Sequence, residues 1–114
     1  MIGIDIVDIA RITKTIERYG ERFLEKVFTA EEISYAKGRR RIGETLAGHF
    51  AAKEAFIKAL GKGLPWKDIE VHHEDGRPFI RFHEKRYDGV SISHERSYAV
   101  SVVSISDTNS HSRI

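Results

Sequence analysis

Hydrophobic and polar residues alternate at the start of the chain and then follow a helical period. In residues 2–7, isoleucines point to one side while Gly3, Asp5 and Val7 point to the other, which predicts a short strand. Asp8 is a suitable N-cap for a helix that begins about there. One side of this helix is apolar, and we expect it to be buried. That side consists of Ile12, Ile16, Tyr19 and Phe23.

Two further helices are predicted in the first half of the chain. Thr29 and Glu32 have the spacing of a capping box, so a short helix should start there and fade near Gly38. Residues 44–60 are rich in strong helix formers and are followed by Gly61, a residue that commonly ends helices. This stretch predicts one long helix.

Beyond the long helix the pattern becomes extended. Two pairs of strand-like segments flank turn signals, which predicts two hairpins and a mostly antiparallel sheet. The paired segments are residues 69–73 with 79–83 and residues 90–94 with 98–105. We therefore predict an α+β fold in which the sheet packs against the long helix. Residues 1–106 should form a single domain, and residues 107–114 a polar C-terminal tail.

Composition narrows the possible chemistry. The 114 residues include no cysteine, which excludes disulfides, thiolate zinc sites and cysteine nucleophiles and permits a cytosolic location. No apolar run approaches the roughly 20 residues of a membrane span, and no basic leader precedes the first strand, so we expect no membrane association and no secretion. The net charge is only +2, but the first 66 residues carry 12 basic and 9 acidic side chains. An anion-binding surface should lie in that part.

The long helix is apolar nearly all round. One side is small enough to let another backbone come close, and the other is bulky. The small side consists of Gly48, Ala52, Ala55 and Ala59, and the bulky side of Leu46, Phe50, Ile57 and Leu60. Glu54 lies on the seam between them, where a carboxylate must be paired, hydrogen-bonded or bound to a metal. The simplest interpretation is an ion pair with Lys58, worth about 0.2–0.5 kcal/mol.

Asp5 offers a second interpretation. It interrupts an apolar strand and is not needed as the helix cap, because Asp8 can serve, although it could satisfy backbone donors at the strand end. If the long helix lies on the first strand, Asp5 and Glu54 could converge on one divalent cation such as Mg²⁺. Lys58, one turn away, would then reach the same phosphates. Together these residues predict a phosphate-handling site.

Four segments also carry a family resemblance. They are GIDIVDIAR at 3–11, FAAKEAF at 50–56 with KALG at 58–61, GRP at 76–78, and SISH at 91–94. In order and spacing they resemble holo-acyl-carrier-protein synthase, the small trimeric type of 4′-phosphopantetheinyl transferase. The resemblance extends from Gly3 to about Val103, and its first two motifs are specific in combination.

The resemblance implies a fold and a reaction. The fold would be that of the 4′-phosphopantetheinyl transferases. The reaction would be transfer of 4′-phosphopantetheine from coenzyme A to a serine of apo acyl carrier protein, releasing adenosine 3′,5′-bisphosphate, in support of fatty acid biosynthesis. The protein would act in the cytoplasm as a homotrimer whose sites lie between neighbouring subunits.

Roles for individual residues follow from the same resemblance. Asp5 and Glu54 would bind Mg²⁺, and Lys58 would contact the coenzyme A phosphates, so that Glu54 and Lys58 are the catalytic pair. His94 and the turn at Gly61 would lie beside coenzyme A. The base that accepts the serine proton stays open between Glu54 and a metal-polarised water.

Two positions depart from the family pattern. His49 stands where many relatives have arginine, so its contact with a coenzyme A phosphate would be weaker or pH-dependent. Ile57 stands where many have serine, which removes a possible hydroxyl contact. Neither departure affects the proposed metal ligands.

Basic side chains form a stripe on the predicted first helix, about 120° from its apolar side. The stripe consists of Arg11, Lys14, Arg18 and Arg22. Nearby glutamates could make this an ordinary solvated face. In the resembled family the same helix docks acidic acyl carrier proteins, which implies electrostatic steering of that partner, with Arg11 the best-matched position.

The alternative function is a non-catalytic α+β module that binds RNA through the basic loop at residues 39–41 and the sheet. Its aromatic residues do not form the regularly spaced stacking platform of such sheets, so we expect no nucleic-acid partner. The aromatic residues in question are Phe79, Phe82, Tyr87 and Tyr98.

A zinc site at His72, His73 and His83 is not expected, because adjacent strand residues face opposite ways.

Overall fold

The computed structural model describes residues 1–106, and the predicted polar tail at 107–114 lies outside the described residues. A strand comes first, four α-helices follow, and a short 3₁₀ helix leads into five more strands. The elements are β1 (Ile2–Asp8), α1 (Ile9–Tyr19), α2 (Glu21–Val27), α3 (Ala30–Lys37), α4 (Ile42–Leu60), the 3₁₀ helix (Trp66–Asp68), β2 (Ile69–Glu74), β3 (Arg77–Phe82), β4 (Lys85–Tyr87), β5 (Val90–His94) and β6 (Tyr98–Ser104).

The strands form two three-stranded sheets, and every described pairing is antiparallel. In the first sheet β6 lies between β1 and β5, with Ile4 opposite Val102 and Asp5 opposite Ser101. The second sheet has the order β2-β3-β4. The predicted α+β fold with antiparallel pairing is therefore confirmed, but the strands form two sheets where one was predicted. Among the described residues, no helix combines the length and apolarity that crossing a membrane requires.

Helix α4 lies against β1 at unusually close range. A β-carbon added to Gly3 would lie 1.9 Å from the carbonyl oxygen of Ala55 and 2.8 Å from the backbone nitrogen of Ala59. Ala52, Ala55 and Ala59 are all buried, so the predicted small-residue side of this helix does admit another backbone. The close crossing determines which residues of β1 face α4.

The predicted helix ends are confirmed at three places. The Asp8 side chain accepts a hydrogen bond from the backbone N–H of Arg11 and caps α1. Thr29 and Glu32 form both bonds of the capping box at the start of α3. Gly61, with a φ of 78°, ends α4 in the left-handed conformation that glycine adopts without strain.

The first helical segment differs from the prediction. Gly20 has a φ of 56° and interrupts the segment, so α1 and α2 are separate helices. The prediction of a single buried apolar face across both helices was therefore wrong at Tyr19, which is 52% exposed.

Strand β4 was not predicted, because its turn at His83 and Glu84 adopts positive φ without any glycine to signal it.

A buried ion pair joins α3 to α4. Lys53 Nζ lies 2.6 Å from Glu32 Oε1, and both side chains are fully buried. Lys53 also donates hydrogen bonds to the backbone carbonyls of Val27 and Trp66, at 2.8 and 3.0 Å. Burial raises the pKa of Glu32, but the hydrogen bond from His49 and the charge of Lys53 outweigh it, so this pKa is lowered. Burial lowers the pKa of Lys53, and the charge of Glu32 opposes this without reversing it. The hydrogen bonds to Glu32, Val27 and Trp66 therefore compensate for the burial of the lysine.

Two histidines extend this network towards the surface. His49 Nδ1 lies 3.1 Å from Glu32 Oε2, and His49 Nε2 lies 2.9 Å from His73 Nε2. The rings of Tyr35, His49 and His73 stack on one another. Burial, followed by the charges of His49 and Arg39, lowers the pKa of His73 from 6.5 to about 4. His73 therefore stays neutral at pH values where an exposed histidine is charged.

We predict that the folded state loses stability as the pH falls from 6.5 to about 4. In this window the unfolded chain binds a proton at His73 and the folded chain does not, so acid favours unfolding. The contribution of Glu32, whose pKa is lowered, is complete above its ordinary value of 4.5 and is lost only below that pH. In His73→Phe, which preserves the ring stack, the free energy of unfolding should depend less steeply on pH across the window, as measured by urea denaturation at a series of pH values.

The matched control is His83→Phe, because His83 is exposed, pairs with Asp68 and stacks on Phe82, a ring contact that phenylalanine can keep. This variant should retain the wild-type slope. An equal slope in wild type and His73→Phe would contradict the prediction.

Candidate active site

Three carboxylates line one open cavity of about 400 Å³. Asp8 is engaged as the cap of α1, and the other two, Asp5 and Glu54, come from distant parts of the sequence. Asp5 comes from β1 and Glu54 from α4, and Arg11, Phe23 and Phe50 are among the other lining residues. We call this the acidic cavity. Because strand side chains alternate, Asp5 shares with Gly3 the face of β1 that lies on α4. The structure thus brings the two predicted acids together.

Lys58 pairs with Asp5, and the predicted pair with Glu54 is not formed. Lys58 Nζ lies 3.0 Å from Asp5 Oδ1 and donates to the backbone carbonyl of Ile4, also at 3.0 Å. The Asp5 side chain is 17% exposed and that of Lys58 is 55% exposed. The ammonium group therefore holds Asp5 in place while remaining open to an anionic ligand.

The hydrogen-bonding partner of Glu54 is a residue that sequence reasoning did not select. Trp66 Nε1 donates to Glu54 Oε2 at 2.5 Å, and the indole ring lies against Phe50. Trp66 is the sole tryptophan of the chain and follows the loop after α4. Nothing in the spacing of the sequence links positions 54 and 66, because the path of that loop decides where the indole lies.

The donor set of the acidic cavity suits a hard cation. Asp5 and Glu54 both offer oxygen atoms, which Mg²⁺ prefers, and Mg²⁺ commonly takes one or two carboxylates together with waters and substrate phosphates. No group of three or more potential ligands drawn from His, Asp and Glu is found within residues 1–106. A cation held by these two carboxylates would therefore rely on solvent or substrate for its remaining ligands.

A second cavity, of about 360 Å³, has a basic lining. The predicted contacts His49 and His94 both lie there, together with the GRP turn and the basic loop. The main lining residues are Tyr35, Arg39, Arg40, Arg41, His73, Gly76, Pro78 and His94. We call this the basic cavity. The three arginines of the basic loop give this cavity an excess of positive charge. Glu44 offsets part of it, because its carboxylate lies 3.6 Å from Arg41 and 3.5 Å from His94.

His49 forms part of the buried wall of the basic cavity. Its side chain is only 2% exposed, and both ring nitrogens are engaged, one by Glu32 and the other by His73. Its predicted contact with a phosphate would require one of these bonds to break. Gly61, the other predicted contact, is exposed at the end of α4 and lines neither cavity.

The predicted basic stripe is exposed but does not lie on one helix. Arg11, Lys14 and Arg18 lie on α1, whereas Arg22 lies on α2 beyond the break at Gly20. The four side chains form no ion pair within the described part of the chain, and Arg18 stacks over Tyr19. Because Arg11 also lines the acidic cavity, this positive surface borders the two carboxylates directly.

The sequence matches a known family along almost its whole length. Residues 1–103 match the profile of the 4′-phosphopantetheinyl transferase superfamily. The holo-acyl-carrier-protein synthase of Halothermothrix orenii is 44% identical over 90% of this chain and 93% of its own. That of Thermodesulfovibrio yellowstonii is 48% identical over 91% of this chain and 96% of its own.

Solved structures agree with the sequence matches. The Helicobacter pylori holo-acyl-carrier-protein synthase, crystallised with coenzyme A, aligns with a TM-score of 0.83 and 35% identity over 93% of this chain and 100% of its own. The Bacillus anthracis enzyme, in complex with coenzyme A (3′,5′-ADP), aligns with a TM-score of 0.80 and 39% identity over 90% and 91% of the two chains. On this agreement of sequence and fold, the chain belongs to the holo-acyl-carrier-protein synthases of the 4′-phosphopantetheinyl transferase superfamily.

Proposed function

We propose that this protein transfers 4′-phosphopantetheine from coenzyme A to a serine hydroxyl of apo acyl carrier protein, in support of fatty acid biosynthesis. The serine oxygen would form a bond to the phosphorus next to the pantetheine arm, and the pyrophosphate bond would break to release adenosine 3′,5′-bisphosphate. The observation that carries the proposal is the meeting of Asp5 and Glu54 beside Arg11 in one cavity of a chain of this family. The proposed location is the cytoplasm.

The acidic cavity is the proposed reaction centre. Asp5 and Glu54 would hold Mg²⁺, which when bound neutralises charge on the phosphate oxygens. Lys58, half exposed and already oriented by Asp5, would contact the coenzyme A phosphates. Of the two candidates for the proton acceptor, Glu54 is the one that the chain itself supplies. The serine proton would pass either to this carboxylate or to a water molecule in the cavity.

The basic cavity is the proposed site for the nucleotide end of coenzyme A. Its arginines and His94 offer several donors to an anionic phosphate, which charge-assisted hydrogen bonds bind strongly. Backbone amides near Gly61 would add contacts along the coenzyme. The arginines of the basic loop line this cavity together with strand residues, whereas the RNA-binding alternative needs them beside an open sheet face.

A homotrimer is proposed because the family resemblance implies three copies, and the apolar outer face of the first sheet offers a surface for their contact. Ile2, Ile4 and Ile6 are 72%, 58% and 64% exposed, and Tyr98 and Val102 on β6 are 47% and 39% exposed. Exposed apolar patches of this kind mark protein interfaces, and further copies of this chain are the proposed occupants. Coenzyme A would then span the acidic cavity of one subunit and the basic cavity of its neighbour.

The transfer reaction is tested by incubating the protein with coenzyme A, Mg²⁺ and apo acyl carrier protein and measuring the carrier mass. We expect the added mass of one phosphopantetheine arm, and EDTA should prevent it.

Asp5→Ala and Glu54→Ala should each lower the rate by about 100-fold or more, because a metal ion supplies several kcal/mol of charge stabilisation. The exposed Glu25→Ala serves as control. A turnover that survives in both variants would remove the metal-ligand proposal.

We predict that the basic stripe steers the carrier protein. Replacing Arg11 and Arg18 together by alanine should raise the KM for the carrier protein about three- to tenfold and weaken its dependence on salt, since exposed interfacial charges act mainly on association. A charge-matched control replaces the exposed Lys26 and Lys85. Equal kinetics in both double variants would assign the stripe to solvation alone.

The trimer prediction concerns the apolar sheet face. Val102→Glu adds a charge opposite Ile4, and we expect it to convert a species of three times 13.0 kDa into one of 13.0 kDa in sedimentation equilibrium. Transfer should be lost with the trimer, because each site would lack its neighbour. Arg81→Glu, on the other sheet, should leave the mass unchanged. A monomeric wild-type protein with full activity would contradict the prediction.

A further inference from the structure

Glu54 is held by a neutral donor, whereas Asp5 is held by a charged one. The Trp66 indole donates to Glu54 Oε2, while the Lys58 ammonium group binds Asp5 Oδ1. Resting on the proposed function, we propose that Trp66 is a positioning residue that orients the Glu54 carboxylate for divalent-cation binding. Trp66 itself would contact neither the cation nor the substrate.

The indole is anchored at both its backbone and its ring. The Trp66 carbonyl accepts a hydrogen bond from Lys53 Nζ, which in turn is paired with the fully buried Glu32. The ring packs against Phe50, with 5.8 Å between the centroids. Because Phe50 also lines the acidic cavity, the donor, its packing partner and its acceptor form one connected unit.

The two oxygen atoms of the Glu54 carboxylate have different surroundings. The indole N–H engages Oε2 and restrains rotation about the terminal torsion of the side chain, while Oε1 has no hydrogen bond from another described residue. A neutral N–H also adds no positive charge that would repel an incoming cation, unlike a lysine or arginine in the same place. A tryptophan therefore suits an orienting role beside a metal-binding carboxylate.

The expected effect is that of losing a hydrogen-bonding partner of a metal ligand, which typically weakens metal affinity by about 10- to 100-fold. Phenylalanine at position 66 keeps an aromatic ring against Phe50 but lacks the donor. Benzothienylalanine at the same position keeps the bicyclic shape and replaces the N–H by sulfur, so it separates the hydrogen bond from packing.

The experiment titrates the full-length protein with Mn²⁺ alone and measures free Mn²⁺ by electron paramagnetic resonance. Trp66→Phe and the benzothienylalanine variant should both bind Mn²⁺ about 10- to 100-fold more weakly than wild type. The Mg²⁺ concentration that half-saturates transfer should rise by the same factor, while the rate at saturating Mg²⁺ changes little. Lys67→Ala, the exposed neighbour in the same 3₁₀ helix, should match wild type in both measurements.

The controls distinguish two failures. If Glu54→Ala binds Mn²⁺ as wild type does, the assignment of Glu54 as a metal ligand fails, and the proposed function is overturned at that residue. If Glu54→Ala loses Mn²⁺ but both position-66 variants bind it like wild type, only the role of Trp66 is overturned. Weak binding in Trp66→Phe with normal binding in the benzothienylalanine variant would assign the effect to packing and also overturn it.

Discussion

The close crossing of β1 over α4 is the contact on which the rest of the site depends. At Gly3 the strand comes so near the helix that a β-carbon would lie 1.9 Å from the Ala55 carbonyl oxygen. The same strand face carries Asp5 two residues later, and Glu54 directly precedes Ala55 on the helix. A single backbone approach, made possible by glycine and alanine side chains, therefore brings both carboxylates to one cavity.

The buried carboxylate of Glu32 organises the remaining elements. It completes the cap of α3, pairs with Lys53 on α4 and accepts from the backbone of β2 at Val71 and from His49. A buried charge is tolerated only when its hydrogen-bonding capacity is met, and no described buried side-chain polar atom lacks a partner. Through Lys53 the network reaches the Trp66 loop and the acidic cavity, and through His49 it reaches the basic cavity.

Charge is separated along α4 in a way that suits a polyanionic substrate. The C-terminal half of the helix presents Glu54 and Lys58 beside Asp5, whereas the N-terminal half faces the arginine-lined cavity. Coenzyme A carries phosphates at two separated places, and the solved relatives from H. pylori and B. anthracis were crystallised with it. In the proposed trimer, the acidic cavity of one subunit would take the reacting pyrophosphate, and the basic cavity of its neighbour would take the nucleotide phosphate.

Local interactions were readable from the sequence, and non-local ones were not. The caps at Asp8 and Thr29, the end of α4 and both main hairpins were predicted, because each depends on residues within a few positions of one another. The break at Gly20 was missed, since a glycine is compatible with both a helix and a left-handed turn. The sequence by itself determined which acids were candidates. Only the tertiary structure decided that Lys58 pairs with Asp5 and that Trp66 donates to Glu54. The path of the loop after α4 and the packing of β1 on α4 bring these side chains together, and their spacing in the sequence does not indicate it.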